Sequence, residues 1–206
     1  MPPVIGVIDY RAGNAPSVGY ALERLGLAHR LVAEPTGLGG VDRIVLPGVG
    51  AAGATLASLH ESGLVEPLRA RVLDDGVPFL GICIGLQVLL DHSEEGDVAG
   101  LGWVPGRARR FPDTQRVPQI GWNAVRATRP HPVTDGLDRD AYCYFVNSYF
   151  AEPADPAHTL GVTEYGTDFA SVIGRANIVA TQFHAEKSGP VGLALLERFA
   201  HWDGTC

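Results

Sequence analysis

Cysteine, positive charge and long apolar runs are all scarce in this sequence, and each shortage excludes a class of protein. The three cysteines, Cys83, Cys143 and Cys206, are odd in number and widely spaced, which argues against a disulfide framework and favours a reducing cytoplasm. The net charge is -7 and Lys and Arg form no cluster, so we expect no nucleic-acid partner. No apolar run approaches the roughly 20 residues of a membrane span, and the N-terminus lacks a signal-peptide pattern. We therefore expect a cytoplasmic protein without membrane contact, with Cys143 in the core and Cys206 in a tail.

Metal-binding spacings and internal repeats are also missing. The seven histidines form neither H-x-H nor H-x-x-x-H, so we expect no metal site and no cofactor. No repeat, low-complexity segment or long linker divides the chain. Its length and its 46% of hydrophobic residues suit one compact core, and we predict a single domain over residues 1–206.

Short apolar runs alternate with helical patterns along most of the chain. Runs that are wholly or mostly apolar at residues 4–8, 44–46 and 178–183 are typical of strands buried on both faces of a parallel sheet. Amphipathic helical patterns occur at residues 16–25, 52–60, 65–73 and 190–200. Residues 100–163 predict antiparallel hairpins, with residues 141–149 as one strand. We therefore predict an α/β fold, with helices on both faces of a mostly parallel sheet and a small antiparallel section.

One stretch combines a buried strand, a cysteine between two glycines and an apolar helix that we predict to extend to about residue 91. The G-x-C-x-G pattern at residues 81–85 is typical of a nucleophile elbow, in which a sharp turn exposes one side chain at the edge of a sheet. Cys83 would lie at a helix N-terminus, where the thiolate is favoured. The alternative is that Cys83 is a small buried apolar residue, as most free cysteines are.

A glycine-rich segment follows the strand at residues 44–46. Residues 48–53 match G-x-G-x-x-G, but no acidic residue ends a following strand at the distance that a dinucleotide-binding site requires. An oxyanion hole is the better interpretation beside a cysteine elbow. Its donors would be the amides of Val49 and Ile84, with Gly48 and Gly50 flanking the first of them. An ordinary tight turn is the third interpretation.

His184 directly follows the predicted buried strand at residues 178–183, and Glu186 follows two residues later. In an extended segment both side chains would project to one face. A carboxylate beside an imidazole fixes its tautomer and stabilises the imidazolium. Together with Cys83 and the glycine-rich segment, these residues would supply a nucleophile, a base, an orienting group and oxyanion donors. The combination predicts a cysteine amidohydrolase or peptidase.

These motifs carry a family resemblance. Residues 46–50, 81–87 and 182–188 resemble class I, triad-type glutamine amidotransferases, which implies a flavodoxin-like version of the predicted fold. Further segments narrow the resemblance to glutaminase subunits of imidazole glycerol phosphate synthases, over residues 4 to about 200. These segments are residues 9–14, 118–123 and 144–149.

The resemblance implies a reaction and a set of site residues. Cys83 would attack the side-chain amide of L-glutamine, His184 would protonate the departing ammonia, and Glu186 would hold His184. The amides of Val49 and Ile84 would form the oxyanion hole. Residues expected at the glutamine site are Gln87, Glu95, Ser148 and Tyr149.

The resemblance also implies a partner. Ammonia would pass through a protected path to a (β/α)8-barrel cyclase, with which the chain would form a heterodimer. The cyclase would use the ammonia to form imidazole glycerol phosphate and an aminoimidazole carboxamide ribotide in histidine biosynthesis. Asn14, Trp122 and Lys187 match the docking face. Two positions depart from the family pattern: Ala185 stands where proline is common, and Asn147 stands where histidine is more usual.

Three other hypotheses remain open. The chain could serve a different synthase, such as one that forms anthranilate or guanylate. It could be a nucleotide-binding or regulatory module in which Cys83 is structural. It could also be a cysteine peptidase, although no propeptide or secretion signal is visible.

Overall fold

The computed structural model describes residues 2–11, 13–137 and 141–205. Cys206, expected in a tail, lies outside these residues. Most described strands join one large sheet, and two form a separate antiparallel pair. The strands are β1 (Ile5–Ile8), β2 (His29–Val32), β3 (Arg43–Leu46), β4 (Phe79–Ile82), β5 (His92–Ser93), β6 (Val98–Ala99), β7 (Gly106–Arg110), β8 (Gln119–Ala124), β9 (Arg126–Ala127), β10 (Tyr142–Asn147), β11 (Tyr149–Pro153), β12 (Thr159–Glu164), β13 (Asp168–Arg175) and β14 (Ile178–Thr181).

The parallel part of the main sheet has the order β2-β1-β3-β4-β14. Its inner strands are the mostly apolar runs, and every residue of β1, β4 and β14 is buried. Beyond β14 the sheet continues through the antiparallel strands β13, β11 and β7. β8 and β10 form the separate antiparallel pair, which we call the hairpin. The predicted parallel sheet with an antiparallel section is therefore confirmed.

Helices cover both faces of the sheet. They are α1 (Ala15–Arg24), α2 (Ala52–Glu61), α3 (Val65–Arg69), α4 (Ile84–Gln87) and α5 (Gly189–His201). A π-helical turn at Ala70–Asp74 extends α3. Because neighbouring side chains of a strand point to opposite faces, β4 contributes to two cores. Leu80 packs with Val18 of α1 and Leu195 of α5, whereas Phe79 packs with Leu59 of α2.

Two local predictions were wrong. The helix after the elbow ends at Gln87 rather than near residue 91, because the carbonyl oxygens of residues 88–90 accept hydrogen bonds from the N–H groups of residues 101–104. The predicted strand at residues 141–149 is divided at Ser148, since β10 belongs to the hairpin and β11 to the main sheet. No helix in the described ranges is long and apolar enough to cross a membrane.

Candidate active site

Cys83 lies in a sharp turn between β4 and α4. Its φ of 56° is a left-handed value that non-glycine residues rarely adopt. Its N–H donates to the carbonyl of Thr181 at 2.7 Å, which holds the turn against β14. A methyl group on Gly85 would overlap the Leu46 carbonyl oxygen, and one on Gly81 would lie 2.6 Å from the Gly85 carbonyl oxygen. The two glycines are therefore required by the close approach of backbone on either side of Cys83.

His184 and Glu186 meet across a 3-10 turn at Ala185–Lys187, just beyond β14. The prediction of an extended segment was wrong here, yet the two side chains are in contact. The Nδ1 of His184 lies 2.8 Å from Oε1 of Glu186. Both side chains are almost fully buried, at 3% and 1% exposure. The turn therefore brings the imidazole and the carboxylate together out of contact with solvent.

The contacts of His184 favour its charged form. Burial of the ring disfavours the imidazolium, but hydrogen bonds to Cys83 and Glu186 and the negative charge of both groups outweigh it. Together they raise the pKa of His184 to about 9. At neutral pH the ring is therefore an imidazolium that contacts the carboxylate on one side and Cys83 on the other.

Two residues beside this turn hold its position. The Nδ2 of Asn14 donates to Oε1 of Glu186 at 2.8 Å. The hydroxyl of Ser188 donates to the His184 carbonyl at 2.7 Å and accepts from the N–H of Tyr144 at 3.0 Å. Ser188 was not among the site residues predicted from the sequence. Its place at the start of α5 indicates only an ordinary helix N-cap.

A cavity of about 320 Å³ opens in front of Cys83. This volume is at the small end of the range for ligand sites and suits a ligand of amino-acid size. Its lining residues are Val49, Gly50, Cys83, Ile84, Gln87, Glu95, Pro118, Val146, Asn147, Ser148, Tyr149, His184 and Lys187. It thus brings together most of the predicted site residues, including all four expected at the glutamine site. A wider depression of about 1010 Å³ at residues 127–137 contains none of them.

The glycine-rich segment forms one wall of this cavity. Val49 and Gly50 line it, and Gly50 has a φ of 100° that favours glycine. Gly48 is not a lining residue, because it packs against Ile84 so closely that a methyl group would overlap the Ile84 side chain. Glu95 Oε2 accepts from the N–H of Ala52 at 2.7 Å. That contact fixes the carboxylate at the positive N-terminal end of α2.

Buried amides form the floor of the cavity. Gln87 Nε2 donates to the carbonyl of Tyr149 at 3.1 Å and to Oε1 of Gln182 at 3.2 Å. Asn147, at the position where histidine is more usual, donates to the same Tyr149 carbonyl at 3.0 Å. Its Oδ1 is buried without a hydrogen-bond partner among the described residues. Asn147 therefore contacts the backbone directly after the strand break at Ser148.

An exposed apolar surface extends from the cavity mouth. We call it the hairpin face; its members, on β8 and β10, are Ile120, Trp122, Tyr142, Tyr144 and Val146. Four of these residues are exposed, with Trp122 at 56%. Trp122 pairs with Tyr144 across the two strands, with ring centroids 5.9 Å apart. Val146 also lines the cavity, so the surface is continuous with it. A contiguous exposed apolar surface of this kind is typical of a protein-binding site.

Comparison with known proteins agrees with this geometry. A model of the family described as glutamine amidotransferase class-I matches residues 8–202. The chain belongs to this family. The predicted family and fold class are therefore confirmed.

Relatives within the family are similar over nearly the whole chain. One is the imidazole glycerol phosphate synthase subunit HisH of Desulfitobacterium hafniense (strain Y51), with 43% identity over 97% of this chain and 94% of the relative. Another, of the same name, is from Synechococcus sp. (strain JA-3-3Ab), with 46% identity over 96% and 93%.

Solved structures share the fold at lower identity. A crystal structure of a glutamine amidotransferase aligns with a TM-score of 0.76 at 19% identity and covers 98% of this chain and 99% of its own. The PurLQS structure from Thermotoga maritima aligns with a TM-score of 0.78 at 16% identity, over the same shares of both chains. At these identities the likeness concerns the fold alone.

Proposed function

We propose that this chain hydrolyses L-glutamine to glutamate and ammonia, as the glutaminase subunit of an imidazole glycerol phosphate synthase in histidine biosynthesis. The observation that carries the proposal is the placement of Cys83 and His184 on one small cavity, with Glu186 bonded behind the imidazole. The HisH relatives favour this synthase over those that form anthranilate or guanylate. A structural cysteine would not need the strained turn at residue 83.

The site residues suggest a two-step mechanism. The Cys83 thiolate attacks the amide carbon of glutamine, and the resulting oxyanion accepts hydrogen bonds from the amides of Val49 and Ile84. His184 gives its proton to the departing nitrogen, so ammonia leaves and a thioester remains. A water molecule then loses a proton to His184 and attacks the thioester. Glutamate leaves, and Cys83 is restored for the next turnover.

The cavity suits the two ends of glutamine. We place the amide against Cys83 and the amino-acid end among Gln87, Ser148 and Tyr149. The fixed carboxylate of Glu95 complements the positive charge of the α-ammonium group. A cavity of about 320 Å³ leaves little room for a peptide chain, which supports an amidohydrolase over a peptidase.

The exposed hairpin face favours a partner protein that docks there and covers the cavity mouth. Ammonia that escaped into water would be protonated and would lose its nucleophilicity, so it must be consumed inside a complex. We propose a (β/α)8-barrel cyclase that docks in a heterodimer on the hairpin face, with contacts to Asn14, Trp122 and Lys187. Cys83 and Cys143 are both free thiols, which suits the reducing cytoplasm that we propose as its location.

The function is tested by measuring glutamate release from L-glutamine, with and without the barrel cyclase and its nucleotide ligand. We expect release to rise when the cyclase is present. Replacing Trp122 with alanine should weaken binding of the cyclase about 30-fold, because exposed tryptophans often dominate interface energies. Tyr20→Ala is the matched control, since Tyr20 is an exposed aromatic on α1 that does not line the cavity. Absence of glutamate release in every arm would refute the proposed function, and equal binding by both variants would refute the docking face.

Turnover should also fall as the pH rises above about 9. The pKa of His184 lies above its ordinary value of 6.5, so the ring is protonated at neutral pH and loses its proton as the pH passes about 9. Neutral His184 cannot protonate the departing ammonia, so kcat should fall about tenfold per pH unit. The measurement is kcat between neutral pH and about pH 10.5. Glu186→Gln removes one cause of the raised pKa of His184, so the decrease of kcat should begin at a lower pH in this variant. A decrease that begins at the same pH as in the wild type would contradict its assignment to His184.

A further inference from the structure

Asn14 is the N-cap residue of α1, but its side chain does not cap the helix. An N-cap asparagine ordinarily accepts a hydrogen bond from an N–H of the first helical turn. Asn14 makes no such bond. Its amide instead donates to the carboxylate of Glu186, which is 172 residues away along the chain. A residue of a type well suited to stabilise its own helix is thus used for a tertiary contact.

The contact reaches a buried charge with few other partners. Oε1 of Glu186 accepts from Nδ1 of His184 and from Nδ2 of Asn14, each at 2.8 Å. Oε2 of Glu186 is buried and has no hydrogen-bond partner among the described residues. A buried carboxylate needs hydrogen bonds to remain charged and fixed in position. Among the described residues, Asn14 supplies the one hydrogen bond to this carboxylate that does not come from the triad itself.

We propose that Asn14 is a positioning residue, which fixes the Glu186 carboxylate so that Oε1 faces His184. The inference rests on the proposed function and deepens it, because it gives Asn14 a role within the subunit that does not depend on a docked partner. Asn14 does not line the cavity. Its loss should therefore reduce kcat and leave the KM for glutamine nearly unchanged.

Two substitutions separate this role from helix capping. Asn14→Ala removes the donor, and kcat should fall about 10- to 100-fold, the range expected for loss of a hydrogen bond to a charged group. Asn14→Asp keeps the size and the capping ability of the residue but places a second carboxylate against Glu186. At pH 8 we expect kcat to decrease from wild type to Asn14→Ala to Asn14→Asp. A capping role predicts the opposite order for the two variants, because aspartate is a good N-cap and alanine is a poor one.

A matched control is available at Asp155, the N-cap residue of a short 3-10 turn at Pro156–His158, whose side chain accepts from the N–H of Ala157 at 2.8 Å. Asp155→Ala should lower the melting temperature and leave kcat unchanged. For Asn14→Ala we expect a clear loss of kcat in addition to any fall in melting temperature, because the lost hydrogen bond belongs to the triad carboxylate.

The experiment measures kcat, KM, melting temperature and the Kd for the barrel cyclase, with the cyclase at saturating concentration in the kinetic assays. If both Asn14 variants keep the wild-type kcat, or if Asn14→Asp is the more active of the two, the positioning role is wrong. A change in Kd with normal kcat at saturation would assign Asn14 to docking alone. Failure of the proposed function is recognised separately, because wild-type protein would then release no glutamate.

Discussion

Cys83→Ala should lower glutamine-dependent synthesis by the complex at least about 1000-fold, because Cys83 is the thiol that shares the cavity with His184 and would form the thioester. Synthesis from added ammonia should continue, since the cyclase would receive its nucleophile from solution. The measurement is product formation by the complex with glutamine and, separately, with a high concentration of an ammonium salt. Loss of both activities would show that Cys83 supports the structure of the complex rather than the chemistry.

Cys143→Ala is the matched control for this substitution. Cys143 is also a buried, free cysteine. Burial raises the pKa of its thiol to about 12, so it stays protonated and unreactive at neutral pH. We expect this variant to retain glutamine-dependent activity. A comparable loss in both variants would mean that the effect comes from core packing and not from the position of Cys83 on the cavity.

Gly85→Ala should destabilise the protein by about 3 kcal/mol or more, the upper range of overpacking. The added methyl group would overlap the carbonyl oxygen of Leu46 on the neighbouring strand β3. Neither backbone can move without disturbing a sheet in which β4 is fully buried and β3 is buried except at Arg43. We also expect loss of glutaminase activity, because relief of the overlap requires movement of the turn that carries Cys83. The measurements are the urea midpoint of unfolding and glutamate release.

Gly53→Ala is the matched control, since it makes the same change in a helix that has room for it. The nearest atom to the added methyl group would be a Val98 side-chain carbon at 3.6 Å, an ordinary van der Waals contact. Because alanine favours a helix more than glycine does, this variant should be more stable by about 0.5–1 kcal/mol. A similar loss of stability in both variants would show that helix position, and not the contact with Leu46, decides the outcome.

The predictions that succeeded were those that depend on local pattern. An apolar β-branched run can form a strand buried on both faces, and little else of that length fits it. The spacing of Gly81 and Gly85 around Cys83 likewise has one structural meaning, because side chains at either position would collide with adjacent backbone. Because such short motifs each correspond to one backbone arrangement, the family could be recognised from the motifs alone.

The predictions that failed concern segments whose backbone bonds to distant residues. The helix after Cys83 stops at Gln87 because residues 101–104 provide hydrogen bonds to the next carbonyl groups. Propensity alone favours a longer helix there. His184 and Glu186 were expected on one face of an extended strand, but a 3-10 turn brings them together.

The sequence by itself determined the parallel sheet, the cysteine elbow and the identity of most of the residues that face the cavity. Only the tertiary structure decided how those residues are held. The hydrogen bonds from Asn14 to Glu186 and from the N–H of Tyr144 to Ser188 join residues far apart in the chain. Periodicity and propensity describe near neighbours, whereas such a bond depends on where the packed sheet and helices place two distant side chains.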